Sequence, residues 1–352
     1  MKHRIIASIG LALLMLLGFA GGASAADKVK AVASFSILGD MVKQVGGDRV
    51  DVITLVGPNG DAHVYEPTPA DAKNLAAAQI LLTNGLGFEG WMDRLEKSSG
   101  FKGTVVVAST GVKPRTMVED AKTITDPHAW QSLANGRLYV TNIRDGLIAV
   151  DPEGKSFYEA NTAKYLDEIA KEESDVKAAL AALPQDRRKI ITSHDAFGYF
   201  GAAYGLEIIA PEGVSTETEA SARDVAKIIR QIEAEHVPAV FMENITDHRL
   251  LDQIASETGA KIGGELYTDA LSPADGPAPS HLDIFRHNVG ALTAALSSCV
   301  VLTLEERPPL SLPGLAGQSS NPCVATQLKS VVAGSALSRE SHDAEDCSAP
   351  AR

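Results

Sequence analysis

The sequence predicts an α/β fold of two lobes, each a parallel sheet with flanking helices, joined by one long linking helix. Three observations carry this. Short β-branched runs alternate with runs of helical period on both sides of the middle of the chain, the pattern of parallel strands with crossover helices. The stretch after Asp151-Pro152 keeps helical spacing with no internal proline until Pro184. A length of 352 residues with 45% hydrophobic content is enough for two globular units.

Residues 1–25 are set aside from the fold. Lys2, His3 and Arg4 form a basic head, Ile5 to Ala20 is almost wholly apolar, and Ala23-Ser24-Ala25 fits the small-x-small rule for signal-peptidase cleavage. The apolar run is short for a membrane span and no second run of about 20 apolar residues follows. The expected protein is therefore exported and begins near Ala26. No cysteine stands at the cleavage site to take a lipid, so it is expected free in the periplasm, as a monomer without a lipid anchor.

The first lobe is placed at 26–150. Val29–Phe35, Val50–Val56, Gln79–Thr83 and Thr104–Ala108 read as strands, and Ile37–Val45, Pro69–Ala78 and Phe88–Lys97 as helices. Thr68 followed by Pro69 is an N-cap with proline at the first helical position. The linking helix is placed at 151–183, where Phe157, Tyr158, Tyr165, Leu166, Ile169 and Val176 recur at helical spacing. A rod of that length spans about 45 Å at 1.5 Å per residue, more than one small domain requires. The second lobe, 184–298, repeats the alternation: strands at Lys189–Ser193, Leu206–Ile209, Ala239–Met242 and Lys261–Leu266, and helices at Glu219–Glu235, Asp247–Thr258 and Ser280–Leu296. The two halves look alike in organisation but show no clear sequence repeat.

Residues 299–352 differ in texture. They carry Pro308-Pro309, Pro313-Gly314 and all three cysteines, Cys299, Cys323 and Cys347, and read as a disordered tail. An odd cysteine count leaves at least one thiol unpaired within the chain. The body, with none, needs no disulfides.

The formal net charge is −13. Because Lys2 and Arg4 give the first 25 residues +2 and the tail carries −2, the whole −13 falls on residues 26–298. Such a surface repels polyanions, which excludes nucleic acid as a partner and favours a cationic or small polar ligand.

Four residues stand where strands give way to loops. His63 lies in the turn-rich Gly57–Pro67, His128 in Asp126-Pro127-His128-Ala129-Trp130, His194 directly after the strand Lys189–Ser193, and Asp269 after the strand Lys261–Leu266. Ligands of open α/β sheets collect at the carboxyl ends of strands, and a cleft between lobes could gather two residues from each side. Three imidazoles and one carboxylate suit tetrahedral Zn²⁺, while Mn²⁺ prefers more oxygen. Spacing does not decide the matter, since the gaps are long and each loop histidine taken alone reads more readily as a solvated or capping residue than as a ligand. His236, His248, His281 and His287 read as surface, capping or structural residues. Asp61, Glu66, Asp195 and Glu243 are candidates to orient ligating rings, and Trp130 and Phe197 to pack beside them.

The motifs Gly57-Pro58-x-x-Asp61-x-His63-x-Tyr65-Glu66-Pro67-Thr68-Pro69, Asp126-Pro127-His128-x-Trp130, His194-Asp195-Ala196-Phe197-Gly198-Tyr199-Phe200 and Leu266-Tyr267-x-Asp269-x-Leu271-Ser272 resemble those of the metal-binding solute receptors of ABC importers for zinc and manganese. With Gly213-Val214-Ser215-Thr216-Glu217-x-Glu219 and Phe241-x-Glu243, the resemblance runs from about Val29 to Leu296. It implies two lobes joined by one long helix, with metal held between them by the residues matching His63, His128, His194 and Asp269. It also implies delivery to a membrane permease with a cytoplasmic ATPase. In that family the third ligand tends to be histidine in zinc receptors and glutamate in many manganese receptors, so His194 points to Zn²⁺, with Mn²⁺ accepted by some relatives of this ligand set. The segment Lys113–Asp126 is short and has no histidine, unlike the His-rich loop of one zinc subgroup.

Two other readings use the same residues. An exported metal-dependent hydrolase needs an open coordination position and a base, but a full His₃Asp set fills tetrahedral zinc, and no His-Glu-x-x-His or Gly-x-Ser-x-Gly is present. An adhesin or a periplasmic metal donor would share the site.

Overall fold

The computed structural model describes residues 27–297 apart from 120–121, 218–220 and 236. The expected signal segment, the tail 299–352 with its cysteines, and His236 lie outside the described residues.

The first sheet is built from β1 (Val29–Phe35), β2 (Val50–Val56), β3 (Ile80–Thr83) and β4 (Thr104–Val107). Its order is β2-β1-β3-β4, all parallel. The helices between them are α1 (Ser36–Gly46), α2 (Pro69–Ala76) and α3 (Met92–Ser99). Thr68 caps α2 as expected: its hydroxyl accepts from Asp71 N while Asp71 Oδ2 accepts from Thr68 N at 2.7 Å. Helix α3 starts four residues later than the sequence suggests, because Gly85, Leu86 and Gly87 all take positive φ and Phe88–Trp91 are consumed in the turn that follows.

Two features escaped sequence reading. Arg115–Glu119 and Lys122–Asp126 pair as an antiparallel hairpin, β5 and β6. Leu133–Val150 is an 18-residue helix, α4, with Tyr139, Val140, Ile143 and Leu147 buried. The linking helix α5 follows a 3₁₀ turn at Pro152–Gly154 and covers Lys155–Ala181, 27 residues or about 40 Å. Asp151 anchors its start, taking Arg49 on both carboxylate oxygens at 2.9 Å and the Tyr158 hydroxyl at 2.7 Å.

The second sheet contains β7 (Lys189–Ile191), β8 (Glu207–Ile209), β9 (Ala239–Glu243) and β10 (Lys261–Leu266), in the order β10-β9-β7-β8 and all parallel. Read from its own first strand, this is the 2-1-3-4 order of the first sheet. The likeness sensed in the sequence is thus one of topology. Its helices are α6 (Gly198–Tyr204), α7 (Ala222–Glu235), α8 (Arg249–Thr258) and α9 (His281–Leu296). The main apolar core is continuous from β1–β3 through α4 and α5 to Phe200, Tyr204 and Phe285, while Ile228, Ile232, Leu251 and Ile254 form a smaller core behind the second sheet. Among the described residues no helix is long and apolar enough to cross a membrane.

Candidate metal centre

Each of the four predicted residues leaves a strand and is held by its local sequence. Beyond β2 the chain turns at Asn59, which takes φ 53°, and Asp61 Oδ1 accepts from His63 N at 2.9 Å. Trp91 Nε1 donates to Ala62 O at 2.8 Å and fixes the loop from beneath. Beyond β6 the same Asp-x-His pattern recurs, and Asp126 Oδ1 accepts from both His128 N and His128 Nδ1 at 2.9 Å. A short aspartate bonding the backbone two residues on is an Asx turn, so the His63 and His128 loops share one local device. His194 follows β7, and Glu243 at the end of β9 serves it doubly: Oε1 accepts from Ser193 N and His194 N at 2.7 and 2.9 Å, and Oε2 stands 2.5 Å from His194 Nδ1. Asp269 follows β10, after Tyr267, whose N–H donates to and whose carbonyl accepts from the Asn288 side chain at 2.9 and 2.7 Å.

The structure brings all four together. Their ligand atoms lie within 4.8 Å of one another, and all four residues are buried, His63 at 7% exposure and the others at 0%. Asp269 Oδ2 is 3.1 Å from both His63 Nε2 and His194 Nε2 and 3.6 Å from His128 Nε2, and the Nε2 atoms of His63 and His128 are 3.3 Å apart. Bonds of 2.0–2.2 Å in a tetrahedron place neighbouring ligand atoms about 3.4 Å apart. These separations straddle that edge. Asp269 Oδ1 has no hydrogen-bond partner, leaving a second carboxylate oxygen for a cation. Phe88 packs edge-on against His63 with ring centroids 4.8 Å apart, and Trp130 does so against His128 at 5.3 Å. The rings present Nε2 inward from an apolar wall.

Electrostatics fit the same picture. Burial alone would depress the His128 imidazole, but Asp269 and Asp126 outweigh it and push it up to about 9. Burial likewise opposes charge on His194, and Glu243 with Asp269 raises it well above the ordinary range. His63 goes the other way, lowered by burial against the pull of Asp269. Asp269 is held well below the usual carboxylate range, since His128 and His194 overcome its burial. Protons and a divalent cation compete for the same nitrogens, so uptake of a cation releases protons.

Of the supporting residues expected from sequence, Glu243 contacts the His194 ring and Asp61 the His63 backbone. Glu66 is exposed and Asp195 half-buried, and neither hydrogen-bonds a ligating ring among the described contacts. Asp126 was missed in that role, although its position two residues before His128 repeats Asp61 and His63. Phe88 was missed as well, its run having been read as helix. Trp130, 1% exposed, packs against His128 as expected, while the Phe197 ring, equally buried, stands against Phe200. His281 and His287 bond to the carbonyls of Trp130 and Glu265, and His248 stays on the surface.

The described fold finds clear counterparts among known proteins. The family model for the periplasmic zinc-uptake complex component A matches residues 31–295. The manganese-binding lipoprotein MntA of Halalkalibacterium halodurans is 31% identical over 271 residues, covering 77% of this chain and 89% of that protein. The manganese ABC transporter substrate-binding lipoprotein PsaA of Streptococcus pneumoniae is 30% identical over 281 residues, covering 78% and 91%. The structure of the periplasmic zinc-binding protein TroA from Treponema pallidum superposes with a TM-score of 0.73 at 29% identity, covering 76% of this chain and 99% of that one. With two lobes of like topology, a buried His₃Asp cluster between them and a family match over most of its length, the chain belongs to the ZnuA family of periplasmic metal-binding components of ABC transporters.

Proposed function

We propose that this protein captures Zn²⁺ between its lobes through Nε2 of His63, His128 and His194 and the carboxylate of Asp269, and surrenders it to a membrane permease driven by an ATPase. The supporting observation is the buried convergence of four ligand atoms within 4.8 Å, two residues from each half of the chain. Members of the family are substrate-binding transport components, not enzymes, and the hydrolase reading has no support in the site.

Zinc is favoured over manganese on donor chemistry. Affinity at a nitrogen-rich site rises from Mn²⁺ toward Zn²⁺, and three imidazoles with one carboxylate offer little of the oxygen that Mn²⁺ prefers. MntA and PsaA are named for manganese and TroA for zinc, so the metal is a property to be measured on this chain. MntA and PsaA are also named lipoproteins. For this chain, the lack of any cysteine before Cys299 supports a form without lipid.

Native mass spectrometry of the exported protein reads bound metal and any lipid together. Chelator competition then tests the site: His63→Ala and Asp269→Ala are expected to weaken Zn²⁺ binding at least a hundredfold, and Mn²⁺ at equal concentration to fail to displace Zn²⁺ from the wild type. Near-normal Zn²⁺ affinity in both variants would overturn the ligand assignment, and displacement by Mn²⁺ would overturn the preference.

A further inference from the structure

Several hydrogen bonds cross from one lobe to the other beside the metal site, among them Asn59 N to Leu271 O at 2.9 Å and Asn244 Nδ2 to Asn59 Oδ1 at 3.1 Å, and two of the bridges are unlike. On one side Trp130 Nε1 and Gln131 Nε2 both donate to Thr268 O, at 2.9 and 2.8 Å, tying the turn after His128 to the loop before Asp269. All three residues are buried, so water cannot compete for these bonds. On the other side a short segment runs from His194 toward His63. Glu212 N donates to Ser193 O at 3.3 Å and Asp195 N to Gly213 O at 3.0 Å, which moors the segment to the His194 turn. At its far end the Thr216 hydroxyl donates to Asp61 Oδ2 at 2.6 Å, while Asp61 Oδ1 accepts from His63 N. Thr216 and Asp61 are only half-buried.

The three histidines are therefore supported unequally. From within the same lobe, Asp126 bonds His128 at both its backbone nitrogen and its ring Nδ1, and Glu243 bonds the His194 backbone nitrogen with its other oxygen in charge contact with the ring Nδ1. His63, the most exposed of the three, is held by Asp61 at the backbone, and the other oxygen of that carboxylate belongs to the second lobe.

We propose that Thr216 is a positioning residue for the metal site: by holding Asp61 from the opposite lobe, its hydroxyl keeps the His63 turn closed on the cation, and breaking this bond is the first step of release. The inference rests on the reading of the four residues as cation ligands. Water can replace the Thr216 to Asp61 bond because both residues reach solvent, whereas the Trp130 and Gln131 bridge cannot be exchanged in this way. The turn at His63 is accordingly freed first, with the loop still tied to the second lobe at Asn59 N to Leu271 O, while the His128 and Asp269 side stays joined.

The test compares release of Zn²⁺ to excess chelator by stopped flow in the exported protein and its Thr216→Val and Thr216→Ser variants. Loss of a hydroxyl bond to a carboxylate is expected to speed release about five- to twentyfold in Thr216→Val, with the association rate changed less and the metal-free thermal midpoint lowered by only about 2–4 °C. Thr216→Ser, which keeps the hydroxyl, is expected to restore slow release. Wild-type release in Thr216→Val, or fast release that serine does not restore, would overturn the inference. Failure of the unmodified protein to take up Zn²⁺ would instead refute the ligand assignment beneath it.

Discussion

His281 shows what a buried histidine does when it is not a ligand. Its Nε2 lies 3.0 Å from Trp130 O, its backbone N–H donates to Asp40 Oδ2 at 2.8 Å, and burial pushes its imidazole down to about 4. In the unfolded chain the same ring titrates near 6.5. Between those values the unfolded state binds a proton that the folded state refuses, so stability is lost as pH falls through this window, by about 3 kcal/mol at its lower end. Asp40 is raised by its burial and acts with the opposite sign, so the difference between wild type and His281→Gln isolates the imidazole. Urea midpoints measured at several pH values should show a shallower decline between pH 6.5 and 4 in the variant; equal slopes would refute the account. At this scale the sequence was readable for His281 and His287 as structural residues. It could not say which of nine histidines would converge. The four residues that converge are separated by 65, 66 and 75 positions, and only their motif context, not their spacing, singled them out.

Helix α4 is the element that propensity concealed. Leu133–Val150 contains Gly136 and Gly146 with Asn135, Thr141 and Asn142, which lower helix propensity enough to hide its apolar period. Packing explains the glycines. A Cβ at Gly146 would stand 2.4 Å from Val106 Cγ2 and 3.2 Å from Ile80 Cδ1, so the helix lies against the first sheet where a methyl group does not fit. Gly→Ala gains up to about 1 kcal/mol in an open helix, whereas overpacking costs about 1–3 kcal/mol. Gly146→Ala is thus expected to destabilise by about 1 kcal/mol. Gly290→Ala on α9, where a Cβ meets nothing within 4 Å, should stabilise by several tenths. Chemical denaturation of both decides it, and a gain at Gly146 would count against the packing argument. The four strands of the first sheet, by contrast, were legible to within a residue, because β-branched runs bounded by turn residues admit little else. The β5–β6 hairpin was not: Arg115, Thr116, Lys122, Thr123 and Thr125 are exposed, and no apolar alternation marks it.

Across the whole molecule the site joins halves that already share one core, so the cation adds stability without having to create the fold. Zn²⁺ free at a hundred times its Kd stabilises by about 2.7 kcal/mol, which for a chain of this size raises the thermal midpoint by about 5–10 °C. Calorimetry with and without Zn²⁺ should show this rise, and Asp269→Ala should abolish it. A rise that survives in the variant would place the binding elsewhere. The net charge of −13 supports the same role at longer range, since an acidic body draws cations while the buried cluster holds one. The matching 2-1-3-4 order of the two sheets carries one more consequence. Each half contributes two of the four residues of the proposed ligand set, so on that reading neither half alone has enough donors for tight chelation. A product cut or stalled anywhere before Asp269 is left with an incomplete set. On the proposed ligand set, such fragments should bind the cation more weakly than the intact protein.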